Sequence, residues 1–363
     1  MIKKMNYGIP LIFDNGTGWS KVGYSGDNAP KFVFPTTYRH LNNNVKNYVG
    51  NEAESQCSMQ YPMERGIITN WDYMENIWRY TFSHELKVDS EDHPILLPER
   101  PMNPIKNRDK TYEIMFEVFN TPAMFVANSA ILSLFSSSKT SGTVVESGDA
   151  ISHIVPIYEG YTIDNCIECF NFGGRDLDDY LKILLTERGY NLFHFDKDIA
   201  RDIKEKFCYV SIDFDNDLKN NRHSNIKYSL PDGKDINISS ERFKCTETLF
   251  QPNLLGMDTL GIHQSIYNSI QKCDNEEIRN HLYSSILLSG GSTMFNGLSE
   301  RLKKEITLLA PDMSTTIISP PNRKYSTWIG GSILSSLSTF QNTWVSNFEY
   351  QEFGTSITHE KCL

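Results

Sequence analysis

At roughly 150 residues per domain, a chain of 363 residues holds two or three domains, which excludes a single small one. Its 35 Lys+Arg against 45 Asp+Glu give a net charge of -10 with no basic run, so direct nucleic-acid binding is not expected. Hydrophobic residues at 39% and aromatics at 12% suffice for a large core without disulfides, and no stretch reaches the ~18 apolar residues that membrane insertion needs.

In chain order, Met1 to Phe13 carries Lys3 and Lys4, but Asn6, Gly8 and Pro10 break its apolar run, so it does not read as a signal peptide. Leu11-Ile-Phe-Asp-Asn-Gly-Thr-Gly18 is an apolar run entering a carboxylate and a glycine turn. Asn42 to Asn47 reads as an exposed loop. Lys110 to Phe119 has helical spacing, and Thr121 to Phe135 is expected to follow as a second helix, with Pro122 at its first position and a face of Met124, Ala127, Ile131 and Leu134.

Thr143-Val-Val-Glu-Ser-Gly-Asp-Ala150 then repeats the first strand-and-turn pattern, and Ile151 to Tyr158 alternates as a strand does. Cys166 and Cys169 form the one close pair among seven cysteines. With no second pair or nearby His, they read as reduced thiols at a strand edge rather than a metal site. Arg175 to Glu187 and Asp198 to Val210 are expected helices, and Asp213 to Asn225 an exposed loop. Ile286 to Ser292 is a third apolar run into a glycine turn, with a helix expected over Asn296 to Leu309. The whole reads as a mixed α/β fold that arose by duplication, each half supplying one carboxylate-bearing turn and a ligand held between the halves.

Gly16, Gly18 and Gly148 let backbone N–H groups approach phosphate oxygens, although each turn alone more often marks an ordinary hairpin. The carboxylates tilt the balance. Asp14 and Glu146 beside phosphates make sense as holders, through water, of a divalent cation such as Mg²⁺, and Lys21 can reach the same phosphates. Gly290-Gly-Ser-Thr-Met-Phe295 offers small residues beside an apolar wall for a base. Lys204 and Glu205 could bond a nucleoside, or could simply form an exposed charged helix face.

Seven segments, in order through nearly the whole chain, resemble actin: Asp14-Asn-Gly-Thr-Gly18, Trp71 with Met74-Glu-Asn-Ile-Trp78, Phe119-Asn-Thr-Pro-Ala-Met124, Val155-Pro-Ile-Tyr-Glu-Gly160, Gly174-Arg-Asp-Leu177, Ile203-Lys-Glu-Lys206 and Lys324-Tyr-Ser-Thr-Trp-Ile-Gly-Gly331. The resemblance implies an actin-like duplicated ATPase fold, two lobes of four subdomains around a cleft for ATP or ADP with Mg²⁺ (or Ca²⁺). It sets subdomain 1 at 1–32, 62–136 and 326–363, subdomain 2 at 33–61, subdomain 3 at 137–172 and 258–325, and subdomain 4 at 173–257. It implies phosphates and cation at Asp14, Asn15, Gly16, Thr17, Gly18, Lys21, Glu146, Ser147, Gly148 and Asp149. It places adenine near Gly291, Met294, Phe295 and Lys324 and sets Lys204 and Glu205 at the nucleoside, with Gly174, Arg201, Gly290 and Ser292 as further nucleotide-binding residues.

Four departures matter. The family's water-placing glutamine falls at Ser129, the second acidic residue is Glu146 where actin has Asp, and His153 of the water site is retained. Asn128 is not expected to replace the glutamine, because neighbouring helical side chains point about 100° apart. The segment His40 to Tyr48 is shorter and less apolar than actin's longitudinal-contact loop. Lys3 and Lys4 replace an acidic terminus, which argues against actin-type motor binding. Phe250 to Met257 resembles the filament's apolar plug, or is core. The reading favoured is an ATP-binding cytoskeletal protein with slow hydrolysis, partnered by itself, other actin-like subunits or actin-binding-type proteins. The alternative is a conventional self-polymerising actin, and no motif supports a sugar-kinase-like enzyme. The expected compartment is the cytoplasm, with the nucleus left open.

Overall fold

A computed structural model describes residues 7–40, 47–50, 60–190, 198–220 and 225–361. Two units divide the chain: Met1–Thr140 with Tyr325–Leu363, and Ser141–Lys324.

In the first unit Leu11, Ile12 and Phe13 are wholly buried, because Leu11–Asn15 is a central strand covered on both faces. It pairs antiparallel with Trp19–Tyr24 and parallel with Ile95–Glu99. The six-stranded order is Val345–Ser346, Ala123–Asn128, Ile95–Glu99, Leu11–Asn15, Trp19–Tyr24, Phe32–Pro35. On one face Phe13 meets Phe82 at 5.0 Å between ring centres. On the other, the helix Ser326–Ser336 presses Gly331 onto Ile12, and the Trp328 indole donates to the Ile12 carbonyl at 3.3 Å.

The second unit repeats this plan. Gly142–Ser147 pairs antiparallel with Ser152–Tyr158 and parallel with Ile286–Ser289, which is itself parallel to Ile317–Ile318. In both units a central strand carries a hairpin on one side and two successive parallel strands on the other. The helix Gly174–Glu187 covers this core with Leu177, Leu181, Leu184 and Leu185, spaced i, i+4, i+7 and i+8.

The expected helix over Thr121 to Phe135 is corrected. Ala123–Asn128 is a strand and only Ser129–Phe135 is helical. Ala-Met-Phe-Val-Ala is apolar throughout because the strand is buried on both faces, and such a run also satisfies a helical period. The expected loop Asp213 to Asn225 contains the helix Phe214–Asn220, whose Asn216 N–H donates to the Asp213 carboxylate at 3.2 Å. Lys110 to Phe119 is the end of the helix Ile105–Glu113 followed by a wide π turn, Ile114–Val118. Within Phe250 to Met257, Phe250 is core, buried under the Arg301 guanidinium, whereas Leu254 faces solvent. Lys3, Lys4 and residues 41–46 lie outside the described residues.

Close approach of Ser326–Ser336 to Ser129–Phe135 depends on Gly330, where a Cβ would stand 1.8 Å from the Leu132 carbonyl oxygen. Alanine is the better helix former by roughly 1 kcal/mol. Gly330→Ala is nevertheless expected to lower stability by about 1–3 kcal/mol through overpacking, read as a lower thermal midpoint.

Candidate functional site

The first hairpin places Asp14 at the penultimate position of its strand, directly across from Lys21, and the two side chains form an ion pair at 3.0 Å. Gly16 N–H donates to the Trp19 carbonyl at 3.0 Å and closes the turn. A Cβ on Gly16 would stand 3.0 Å from that oxygen and 3.6 Å from the Lys21 ammonium, so the residue must be small. The turn is braced from outside. Asn15 accepts from the Trp78 indole at 2.9 Å and donates to Ser20 at 2.9 Å, while Thr17 accepts from the Gly66 N–H at 2.9 Å. Gly18 accepts through its carbonyl from the Thr36 N–H at 2.9 Å. A turn held this firmly presents its groups without reorganising.

The strands Leu11–Asn15, Ile95–Glu99 and Ala123–Asn128 run parallel, so their carboxyl ends share one edge of the sheet. Asp14 and Ser129 therefore emerge on the same edge two strands apart, about 10 Å at the usual spacing. Ser129 is the first residue of its helix, and Asn128 is its N-cap, accepting from the Ala130 N–H at 3.0 Å. The argument from helical side chains 100° apart does not apply to Asn128, which is extended rather than helical and whose carboxamide oxygen is spent on capping.

In the second unit Glu146 is likewise penultimate in its strand and half-buried, with His153 opposite on one neighbour and Ser289 on the other. His153 is buried. The turn that follows is fastened to two other segments. The Gly148 carbonyl accepts from the Gly174 N–H at 3.0 Å and from the Ser292 hydroxyl at 2.7 Å, and the Asp149 carbonyl accepts from the Arg175 N–H at 2.8 Å. The Asp149 carboxylate also pairs with the Arg175 side chain. Ser147 shares a hydrogen bond with Ser152 at 2.8 Å. Gly290 has φ +91°, and a Cβ there would lie 2.3 Å from the Ser147 carbonyl oxygen, so the third glycine turn abuts the second hairpin directly.

Of the residues singled out in this half, the structure brings together Ser147, Gly148, Asp149, Gly174, Lys204, Gly290 and Ser292. Lys204 is buried, its ammonium donating to the Gly174 carbonyl at 2.8 Å and pairing with Asp178 at 2.8 Å; Arg201 stands 3.8 Å from the same carboxylate. Glu205 is exposed, Gly291 is exposed at the turn, Met294 is half-buried and Phe295 is packed in the core. Lys324 is exposed beside Arg323, whose guanidinium donates to the Thr293 carbonyl at 2.7 Å. Of the cysteine pair, Cys166 is buried and Cys169 exposed.

Sequence reasoning missed Asp178. Burial pushes its carboxyl above the usual carboxylate range, against the opposing pull of Lys204 and Arg201. The signal was available, since an Asp between Leu177 and Leu181 on the inward helix face must find a cation. Removing that cation is costly. Lys204→Met should destabilise the protein by about 3–5 kcal/mol, and adding Asp178→Asn should recover much of the loss, read in chemical unfolding of the single and double variants.

The family model described as Actin matches residues 8–363. The chain belongs to the actin family, whose members bind ATP or ADP with a divalent cation.

Proposed function

We propose that this actin-family protein binds ATP or ADP with Mg²⁺ (or Ca²⁺), hydrolyses ATP slowly, and uses the nucleotide to fix its conformation as a subunit of a filament or multiprotein assembly. One observation carries the reading: each unit places a carboxylate, Asp14 or Glu146, at the penultimate position of a central strand with a glycine turn beyond it and parallel strands beside it. Ligands of such sheets gather at the carboxyl ends of the parallel strands. The donor set suits a chelated triphosphate. Gly16 keeps its turn clear of a Cβ, Lys21 supplies a cation next to it, and the two carboxylates would hold the metal through water. Bound there, the cation would draw charge from the phosphate oxygens. The four-subdomain division given above, a cytoplasmic location and assembly with actin-like or actin-binding partners belong to the same proposal.

Slow hydrolysis follows from Ser129 and Glu146. A serine hydroxyl at the head of the helix reaches several ångströms less far than a glutamine amide. Asn128 cannot supply the missing group, because its side chain caps the helix. Glu146 carries its carboxylate one C–C bond, roughly 1.5 Å, farther from the strand than Asp does. Since displacement by about 1 Å can cost on the order of 100-fold in rate, two changes around one water give slow turnover.

Nucleotide-loaded protein is expected to retain ATP and release phosphate at least about 10-fold more slowly than conventional actin, with Ser129→Gln plus Glu146→Asp raising the rate. Actin-like phosphate release by the unaltered chain would count against slow hydrolysis, and failure to retain ATP against the whole reading. Sedimentation over rising concentration with ATP and Mg²⁺ is expected to show no sharp onset of polymer. A sharp onset would favour the conventional, self-polymerising alternative.

A further inference from the structure

A solvent-open pocket of about 410 Å³ lies in the second unit, lined by Lys206, Phe207, Tyr209, Arg242, Asn296 and Gly297 among others. That volume lies within the usual range for small-molecule sites. Its wall is held in place by the backbone. Val210 N–H donates to the Asn296 carbonyl at 2.8 Å and Tyr209 N–H to the Arg242 carbonyl at 3.3 Å. Gly297 has φ +84°, and a Cβ there would stand 2.3 Å from the Val210 carbonyl oxygen.

Arg242 is pre-oriented. Its Nε donates to the Phe207 carbonyl at 2.8 Å and its guanidinium lies over the Tyr209 ring, 4.9 Å from the centroid. Among the described residues it forms no ion pair with a carboxylate, whereas Lys206 is paired with Asp202 at 2.7 Å in an exposed position. The nearby Asp217 accepts from the Ser211 hydroxyl at 2.6 Å. A fixed guanidinium with no carboxylate partner among the described residues, a second cation whose exposed ion pair is weak, and the aromatic residues Phe207 and Tyr209 in the lining suit an aromatic anion.

The geometry points to a second ligand site here, for a small aromatic anion whose acid group meets Arg242 and whose ring lies against Phe207 and Tyr209. The pocket shares none of the hairpin residues, but its walls Lys206 to Val210 and Asn296–Gly297 directly follow Lys204–Glu205 and Met294–Phe295, which the nucleotide reading gives to the nucleoside, so it is tested with that site filled.

The test is calorimetric titration of phenyl phosphate into full-length protein kept in saturating ATP and Mg²⁺, which prevents the probe from reporting on the nucleotide site. One saturable site is expected, binding inorganic phosphate about 10-fold more weakly. Arg242→Gln should weaken phenyl phosphate about 10-fold or more, as loss of charge-assisted hydrogen bonds does, with ATP retention unchanged. The exposed Lys206→Gln, which leaves the wall intact, should weaken it about 3-fold and keeps the idea testable should Arg242→Gln fail to fold. No saturable binding, equal affinity for inorganic phosphate, or full affinity in either variant would overturn the site.

Discussion

A strand that must be buried on both faces yet end in a charge sets the terms for each unit. Leu11 to Phe13 and Val144 to Val145 are fully sequestered, and at the next residue the chain delivers Asp14 or Glu146 to the rim of the sheet. An antiparallel partner on one side and a parallel one on the other leave no freedom to slip, since a one-residue shift would turn the carboxylate into the core. The position of the charge is thus tied to the stability of the sheet.

The two units have reinforced their turns differently. The first hairpin is braced by side chains, Asn15 to Trp78 and Ser20 and Thr17 to Gly66. The second is braced through backbone carbonyls, Gly148 and Asp149, which take up the first N–H groups of the helix Gly174–Glu187. Those N–H groups are consequently not available to an anion. Gly174 serves instead as the small residue that lets Ser292 and Lys204 close in.

The strands that carry the hairpins were legible because a short apolar run ending in an acidic residue and glycine leaves few alternatives. Ala123–Asn128 was not, since burial on both faces erases the alternation that separates strand from helix. Phe214–Asn220 was hidden by its polarity; a short helix capped by Asp213 needs no apolar stripe to be held. At the candidate site, the residue types at the turns could be read, but their bracing could not. Trp78, Arg175 and Asp178 act through contacts between segments far apart in sequence. The Lys204 ammonium faces inward to Asp178 for a reason that composition alone, with its exposed-face alternative, does not contain.

All five tryptophans, at positions 19, 71, 78, 328 and 344, belong to the first unit, and two of their indoles bond to the strand Leu11–Asn15. Tryptophan emission from this protein therefore originates in the first unit only. Events confined to residues 141–324 leave that signal dark and must be followed through tyrosine or an introduced dye.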